Sequence, residues 1–526
     1  MAQVSFSAVH QSRRKPLAAC VASLFAMCSS AMAIPVPQGW TVNSCDGDAY
    51  SGDAATKTGT LRFAAANAAD GETVDLSTLN CPGSKISLTT GGYIAVPQPS
   101  LTIKGSAASV LTIDGSGIPG GDITYGNIFY HTGNGTLKIQ DLALTGGHVN
   151  HQHVDSKGGC IYSKGNVDLD HVSVSSCSAH SEYFSAKGGG IYAKGNVDLS
   201  DSTVSGNSAT SGKFAYGGGF AYGGGVCAKG NLTLQFSTLS VNNVDAGHSW
   251  GGGARSDGDF LAGYSTVSGN KAHTVGYGGG LDLQGKFNTI SSSTISGNMS
   301  LISGGVEVSS HVGAGSTFLI VNSTISGNHA DLWTGGLRVD AAIAKFYNST
   351  IAFNTATAGG PGAASGVQLQ EDFNEISAIL ESNLIANNTY GSNESDLGEQ
   401  LAPGFSLTIN GGLAAVPANN LIRAASVAGL PLDTQTACPL LGKLRDNGGL
   451  TQTHALLSHS PAIDAGNNYF GGPSSFDQRG FALINGTLDF PRASGPLGDQ
   501  NPKADIGAHE VQQDDVVFGT EFEGCP

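Results

Sequence analysis

Between residues 83 and about 400 the chain alternates apolar and polar positions in short runs. Examples are Gly190-Ile191-Tyr192-Ala193 and Gly280-Leu281-Asp282-Leu283. Period two is the mark of a half-buried strand, and almost nothing in this stretch reads as a long amphipathic helix. The runs also recur. A phrase Ser-Thr-Val/Ile-Ser-Gly-Asn ends at Asn207, Asn270, Asn298 and Asn328, with looser copies ending at Asn242, Asn354 and Asn387. An eighth copy, residues 171–177, puts Cys177 in the Asn position, and successive anchors lie 30, 35, 28, 28, 30, 26 and 33 residues apart. A second phrase, Gly-Gly-Gly, interleaves with the first at Gly188, Gly223, Gly251 and Gly278. Self-similarity at this period marks a solenoid, and strand-built repeats predict an all-β parallel β-helix.

Within that fold the phrases acquire places. Val204, Leu239, Val267, Ile295, Ile325, Ile351 and Leu384 should stack as one aliphatic core column. Gly-Asn suits a sharp corner, because both residues tolerate left-handed backbone angles, and Asn repeated at one corner can ladder its amides along the stack. Both ends should be capped. Residues 60–69 read as a short helix, followed by a strand at 73–76, and a helix over the first coil would shield its core and edges. Past residue 400 the repeats fade.

Composition agrees with this reading. The 77 glycines follow no Gly-x-y period, which excludes collagen, and 40 % hydrophobic against 13 % charged residues excludes disorder. Residues 1–33 read as an export leader: Arg13-Arg14-Lys15, an apolar run from Pro16 to Met27, and the small-residue cleavage site Ala31-Met32-Ala33. Losing the leader's three cations takes the net charge from −16 to −19, which disfavours nucleic acid and anionic membranes as partners. No later run supplies the ~20 apolar residues needed to span a bilayer. Export permits disulfides. Seven cysteines follow the leader, so at least one thiol stays free or pairs between molecules. Cys45 with Cys81 would staple the N-terminal cap, and Cys160 with Cys177 would lock one coil; sequence alone leaves the connectivity open.

The domain plan is a leader (1–33), an N-terminal cap (34–82), the β-helix (83–400), a C-terminal module (401–511) and a tail (512–526). The module carries Asp446-Asn447-Gly448-Gly449, Thr453-His454-Ala455, Asp477-Gln478-Arg479-Gly480 and Ala504-Asp505-Ile506-Gly507-Ala508-His509-Glu510. With the Gly-Gly and Ser-Gly-Asn phrases, these strings resemble secreted bacterial right-handed β-helix proteins of the polymorphic outer-membrane-protein-like group. The string from Asp446 to Glu510 resembles their C-terminal choice-of-anchor module. The tail around Phe518 and Phe522 is similar to a short terminal motif of some Gram-negative secreted proteins, with Gly519-Thr520 where that motif has Asp-Gly. The resemblance implies an exported, surface-associated β-helix; no autotransporter barrel follows the repeats.

Two constellations carry the candidate chemistry. The first outward position after each Gly-Gly phrase is Tyr162, Tyr192, Cys227, Arg255, Asp282, Glu307, Arg338 and Gln368 in turn. Coils ~4.8 Å apart would stack Arg255, Asp282, Glu307 and Arg338 into one column. Adjacent carboxylates can serve as acid and base on a glycan, because like charges push one pKa upward. The same residues also make an exposed ladder of opposite charges, and the flanking arginines favour two ionised carboxylates. The second constellation is a ridge of His and aromatic residues in the loops: Tyr183, Tyr216, His248, Trp250, His273, Tyr277 and Trp333, with ring faces suited to sugar or protein contact. The alternative is that these loops bury their own rings.

Weaker motifs accompany them. His148, His151 and His153 have zinc-ligand chemistry in one loop, and Asp46, Asp48 and Asp53 could hold calcium, but a solvated loop and an Asp/Gly/Ser turn are the better readings, since the acidic calcium-loop pattern is incomplete. Gly247-His248-Ser249-Trp250-Gly251 fits a nucleophile elbow in letters but lacks the following helix. Two functions follow: a non-catalytic, adhesin-like protein gripping extracellular glycan or a host or neighbour surface protein, or a polysaccharide lyase or glycoside hydrolase. The polygalacturonase strings Asn-Thr-Asp, Gly-His-Gly and Arg-Ile-Lys are absent, which favours the first.

Overall fold

The computed structural model describes residues 39–107, 110–119, 126–212, 219–309, 315–359, 363–371, 376–401, 406–410, 417–467, 476–480, 503–512 and Cys525. The leader, Tyr216 and most of the tail fall outside these residues. The chain winds as a parallel β-helix. One coil runs through strands Asn166–Asp170, Ser173–Ser175, Ser178–Ser181, Ala186–Lys187 and Ile191–Ala193 before returning to the first sheet at Val197–Ser200. Stacking builds sheets of fifteen, twelve, ten, five and eleven strands in that order around the coil. Eleven strands in the last of these count eleven coils. Among the described residues there is one α-helix, Leu61–Asn67, and none long and apolar enough to cross a membrane.

The core is the column the repeats predict. Val174, Val204, Leu239, Val267, Ile295, Ile325 and Ile351 face inward in register and are at most 2 % exposed. The next coil corrects the expected pattern by one residue. Ile351 pairs with Ile385, while Leu384 pairs with Thr350 and faces outward. The reason lies at the corner that follows. Only the residue before the ladder Asn adopts the left-handed conformation: Gly206, Gly269, Gly297 and Gly327, but also Ser176, Val241, Phe353 and Asn387. Asn387 therefore fills the glycine slot, and Asn388 fills the ladder slot.

That ladder is continuous and buried. Asn207 donates its backbone N–H (3.0 Å) and its Nδ2 (2.9 Å) to Oδ1 of Asn242, and a second Nδ2 hydrogen reaches the carbonyl of Val174 (3.0 Å). Asn242, Asn270, Asn298, Asn328 and Asn354 repeat the pattern coil by coil. The series opens at Cys177, whose N–H donates to Asn207. It closes at Asp396, an acceptor that takes both Asn388 hydrogen bonds and the N–H of Ala424. At the preceding corner a second series runs through Ser202, Ser237, Ser265, Ser293, Ser323 and Ser349, each N–H donating to the next hydroxyl.

The N-terminal end is closed by the expected helix. Thr60 caps the helix by accepting from Phe63 N–H, and Leu61, Ala64 and Ala65 join the main core. Buried Arg62 donates to the carbonyls of Gly47, Gly92 and Tyr93. Against the opposing effect of burial, the Thr89 hydroxyl and the N–H groups of Thr89 (2.7 Å), Thr90 (3.0 Å) and Gly91 (3.2 Å) donate to Asp48 and hold its carboxyl far below the usual range. The candidate disulfides Cys45–Cys81 and Cys160–Cys177 form, Cys438 pairs with Cys525, and among the described residues Cys227 is the free, buried thiol.

The C-terminal module packs along the outer face of the twelve-stranded sheet. Thr294 donates to the Gln452 carbonyl (2.6 Å), Thr324 to Gln478 (2.6 Å), and Ala508 N–H to Thr350 (2.9 Å). His454 bridges the Gly442 carbonyl and Ser326, both at 2.7 Å, and burial lowers its pKa to about 4, keeping it neutral. Further along, Leu384, Ala386 and Leu421 meet Leu441, Leu456, Ala462 and Ile506 in a second small core. The module's motif strings meet one another: fully buried Arg479 bonds Asp477 (2.8 Å) and the carbonyls of Asn447 and Glu510. These strings hold the module's own fold on the solenoid.

Val241 sits in the left-handed slot that glycine fills at four other coils, and it is 66 % exposed. A β-branched side chain is strained there, so Val241→Gly should raise stability by about 1 kcal/mol despite glycine's entropy. Denaturant melts of the two proteins check this; a loss of stability would contradict it.

Candidate functional site

The predicted column exists residue for residue. Tyr130, Tyr162, Tyr192, Cys227, Arg255, Asp282, Glu307, Arg338 and Gln368 pair in strict register along the eleven-stranded sheet. Its environment differs from an exposed ladder. Asp282 is 0 % exposed and Glu307 1 %. Arg255 binds Asp282 (2.5 Å) and Asp257 (2.8 Å), and Gln284 donates to the second Asp282 oxygen (2.8 Å). Arg338 binds Glu307, which also accepts from Ser303 (2.7 Å) and Ser309 (3.0 Å). Each carboxylate thus has its own guanidinium. Burial pushes the Asp282 pKa up to about 6, with Arg255 pulling against it and Glu307 adding to it.

The aromatic ridge is real but arranged differently from a row of free rings. Between the Asn corner and the Gly-Gly-Gly turn, the ten- and five-stranded sheets form an arm with its own small core of Ala186, Ala209, Ala221, Val244, Ala246 and Ala272. Strands Phe220–Tyr222, His248–Trp250 and Val275–Tyr277 bury only their middle residue, so the flanking ones share the outer face. Trp250 stacks on Tyr222 (5.0 Å between centroids) and on Tyr277 (6.1 Å), and His248 stacks on Trp250 (5.6 Å). Stacked rings occupy one another's faces and offer solvent mainly edges. Phe220, which joins the stack against Tyr222 and His248, and Tyr183 and Phe184 are the most exposed rings of the arm, at 41, 53 and 47 %. Tyr183 leans on His153 at 5.6 Å. His273 is exposed on the turn after Lys271–Ala272, outside the stack. Trp333, half-buried, stands two coils beyond Tyr277 and donates its backbone N–H to the Ala358 carbonyl (2.7 Å).

The two constellations, separate in sequence, meet at the Gly-Gly-Gly turn. The Arg255 guanidinium lies 4.9 Å over the Tyr222 ring, and Tyr222 packs against Tyr162, Tyr192 and Cys227. Column and ridge are floor and wall of one inner corner. Left-handed Gly223, Gly251 and Gly278 make that corner possible, since a Cβ there would stand 2.0–2.2 Å from the carbonyl oxygens of Val226, Ala254 and Leu281.

The weaker motifs separate. His148 faces out, His151 is buried against Ser156 and Asp155, and His153 stacks on Tyr183, so the three do not converge. The carboxylate and imidazole atoms that do gather, within 4.8 Å, belong to Asp170, His171 and Asp201. Sequence reading missed them; the signal is that His171 and Asp201 occupy the same left-handed corner in successive coils. Ser249 is buried inside a strand and accepts from Ala246 N–H (3.1 Å), which excludes a nucleophile elbow.

No protein-family description and no curated protein matches the chain. Among solved structures it is similar to a crystal structure of pectate lyase Pel9A, at 12 % identity, covering 90 % of this chain and 97 % of that one with a TM-score of 0.32. Similarity of that order says nothing about activity.

Removing Arg255 would strand Asp282 in a buried site. Arg255→Ala should cost about 3 kcal/mol at pH 8. The Asp282 pKa already lies above its unfolded value and would rise further, so the folded state gains stability as pH falls toward 5 and the variant's deficit shrinks. Melts at both pH values check this; a deficit independent of pH would contradict it.

Proposed function

We propose that this is an exported, surface-associated binding protein that grips extracellular glycan or a neighbouring surface protein along the arm and its inner corner. The observation that carries the reading is the open aromatic face: Tyr183, Phe184 and Phe220 exposed beside half-buried His248, Trp250 and Tyr277. Exposed apolar surface of this kind marks interaction sites. The charge column supports binding over catalysis. Asp282 and Glu307 are buried and each is held by an arginine, which works against a free general acid reaching a sugar. Three disulfides suit an oxidising compartment. A lyase or hydrolase would have to draw on Asp282, whose raised pKa is its one favourable feature.

The test is a glycan array read for both retention and released unsaturated or reducing ends, with and without calcium. Retention without cleavage is expected. Tyr183→Ala with Phe184→Ala, and separately Trp250→Ala, should each lower retention about tenfold, as loss of one or two ring contacts implies. Cleavage abolished by Asp282→Asn would replace this reading with the enzymatic one.

A further inference from the structure

A second surface on the eleven-stranded sheet carries a different chemistry. Two residues beyond the tyrosine column, in three successive coils, stand Lys164, Lys194 and Lys229. Backbone bonds stack them directly: Lys194 N–H donates to Ser163 and Lys229 N–H to Ala193, both at 3.0 Å. Lys229 is answered by Asp257, the residue that follows it in the column. Lys164 and Lys194 are exposed and have no carboxylate within 4 Å among the described residues. Across the stacked rings of Tyr162 and Tyr192, Lys157 and Lys187 share the single carboxylate of Asp155 (3.1 and 2.8 Å), and Lys157 lies 5.7 Å over the Tyr192 ring.

Like charges in register ~4.8 Å apart destabilise a sheet. In a chain with 25 basic and 41 acidic residues, such a concentration is not what net charge predicts. Local disagreement with a folding rule is expected where a surface serves a ligand. We infer that the lysine strip over coils 156–229 binds an acidic polysaccharide, with carboxylates repeated along the polymer answering lysines repeated along the solenoid. Lys164 and Lys194 lie off the arm and Lys157 and Lys187 on its five-stranded sheet, and the inference does not depend on the role of the aromatic face. The chain's overall negative charge then acts as a filter: a polyanion is repelled everywhere except along this strip.

Purified protein would be assayed for retention of polygalacturonate, of a neutral galactan of matched length, and of double-stranded DNA. Salt-sensitive retention of polygalacturonate over both others is expected. Lys164→Gln with Lys194→Gln should weaken it about tenfold. The same variant should melt no lower than the parent, because it relieves repulsion. Lys345→Gln with Lys443→Gln, which removes the same charge away from both the strip and the arm, should leave retention intact. Unchanged binding by the Lys164/Lys194 variant, equal loss in the control variant, or retention of DNA or galactan as strong as that of polygalacturonate would overturn the inference.

Discussion

A buried side-chain amide must find partners, and in this solenoid it can find them only in the neighbouring coils. From Asn270 to Asn328 each ladder asparagine gives two hydrogen bonds to the coil ahead and one to the coil behind, all at 2.9–3.1 Å. A slip of one residue would leave these groups unpaired at about 1–3 kcal/mol each and would also turn the core column outward. Register is therefore fixed from Cys177 to Asp396. The two ends suit their places. Cys177 has no amide to satisfy and is bridged to Cys160, and Asp396 has no donor to satisfy and only accepts.

Fixed register turns sequence repeats into surface columns, and the columns give the molecule its chemistry. The position after Gly-Gly becomes a file of tyrosines, then Cys227, then two adjacent carboxylates flanked by two arginines. The position two residues later becomes a file of lysines ended by Asp257. Extra chain between the Asn corner and the Gly-Gly-Gly turn does not disturb the stack; it projects as the arm whose wall faces the file of charges. A glycan laid along the axis would meet one kind of group repeated from coil to coil, so modest contacts multiply through valency.

Most of this architecture was legible in the sequence because the repeat carries it. The coil, the core column, the amide ladder and the order of the charge column follow from periodicity, while the pairings Cys45–Cys81 and Cys160–Cys177 were named as candidates and needed the structure to settle them. Local exceptions were harder. Asn387 and Asn388 are adjacent and alike, and only backbone geometry shows which one turns the corner. Burial of Asp282 and Glu307 was not legible, since an outward position is exposed only when nothing packs beside it. The meeting of Tyr222 with Arg255 depends on the angle at a glycine turn. The docking of Gln478 on Thr294 joins residues 184 apart and leaves no local trace. Trp250 and Tyr277 were correctly placed on one surface, but their spacing could not say that they spend their faces on each other.

The most direct test of the account is the stability of two single variants by denaturant unfolding. Asn298→Ala removes a mid-ladder amide and orphans groups on Asn270 and Val267 in the buried interior; it should cost about 3–5 kcal/mol. Asp396→Asn keeps the oxygen that serves Asn388 but turns an amide nitrogen toward the Ala424 N–H, and should cost about 1–3 kcal/mol. If Asn298→Ala costs less than about 1 kcal/mol, the ladder does not set the register and the columns must owe their alignment to packing alone.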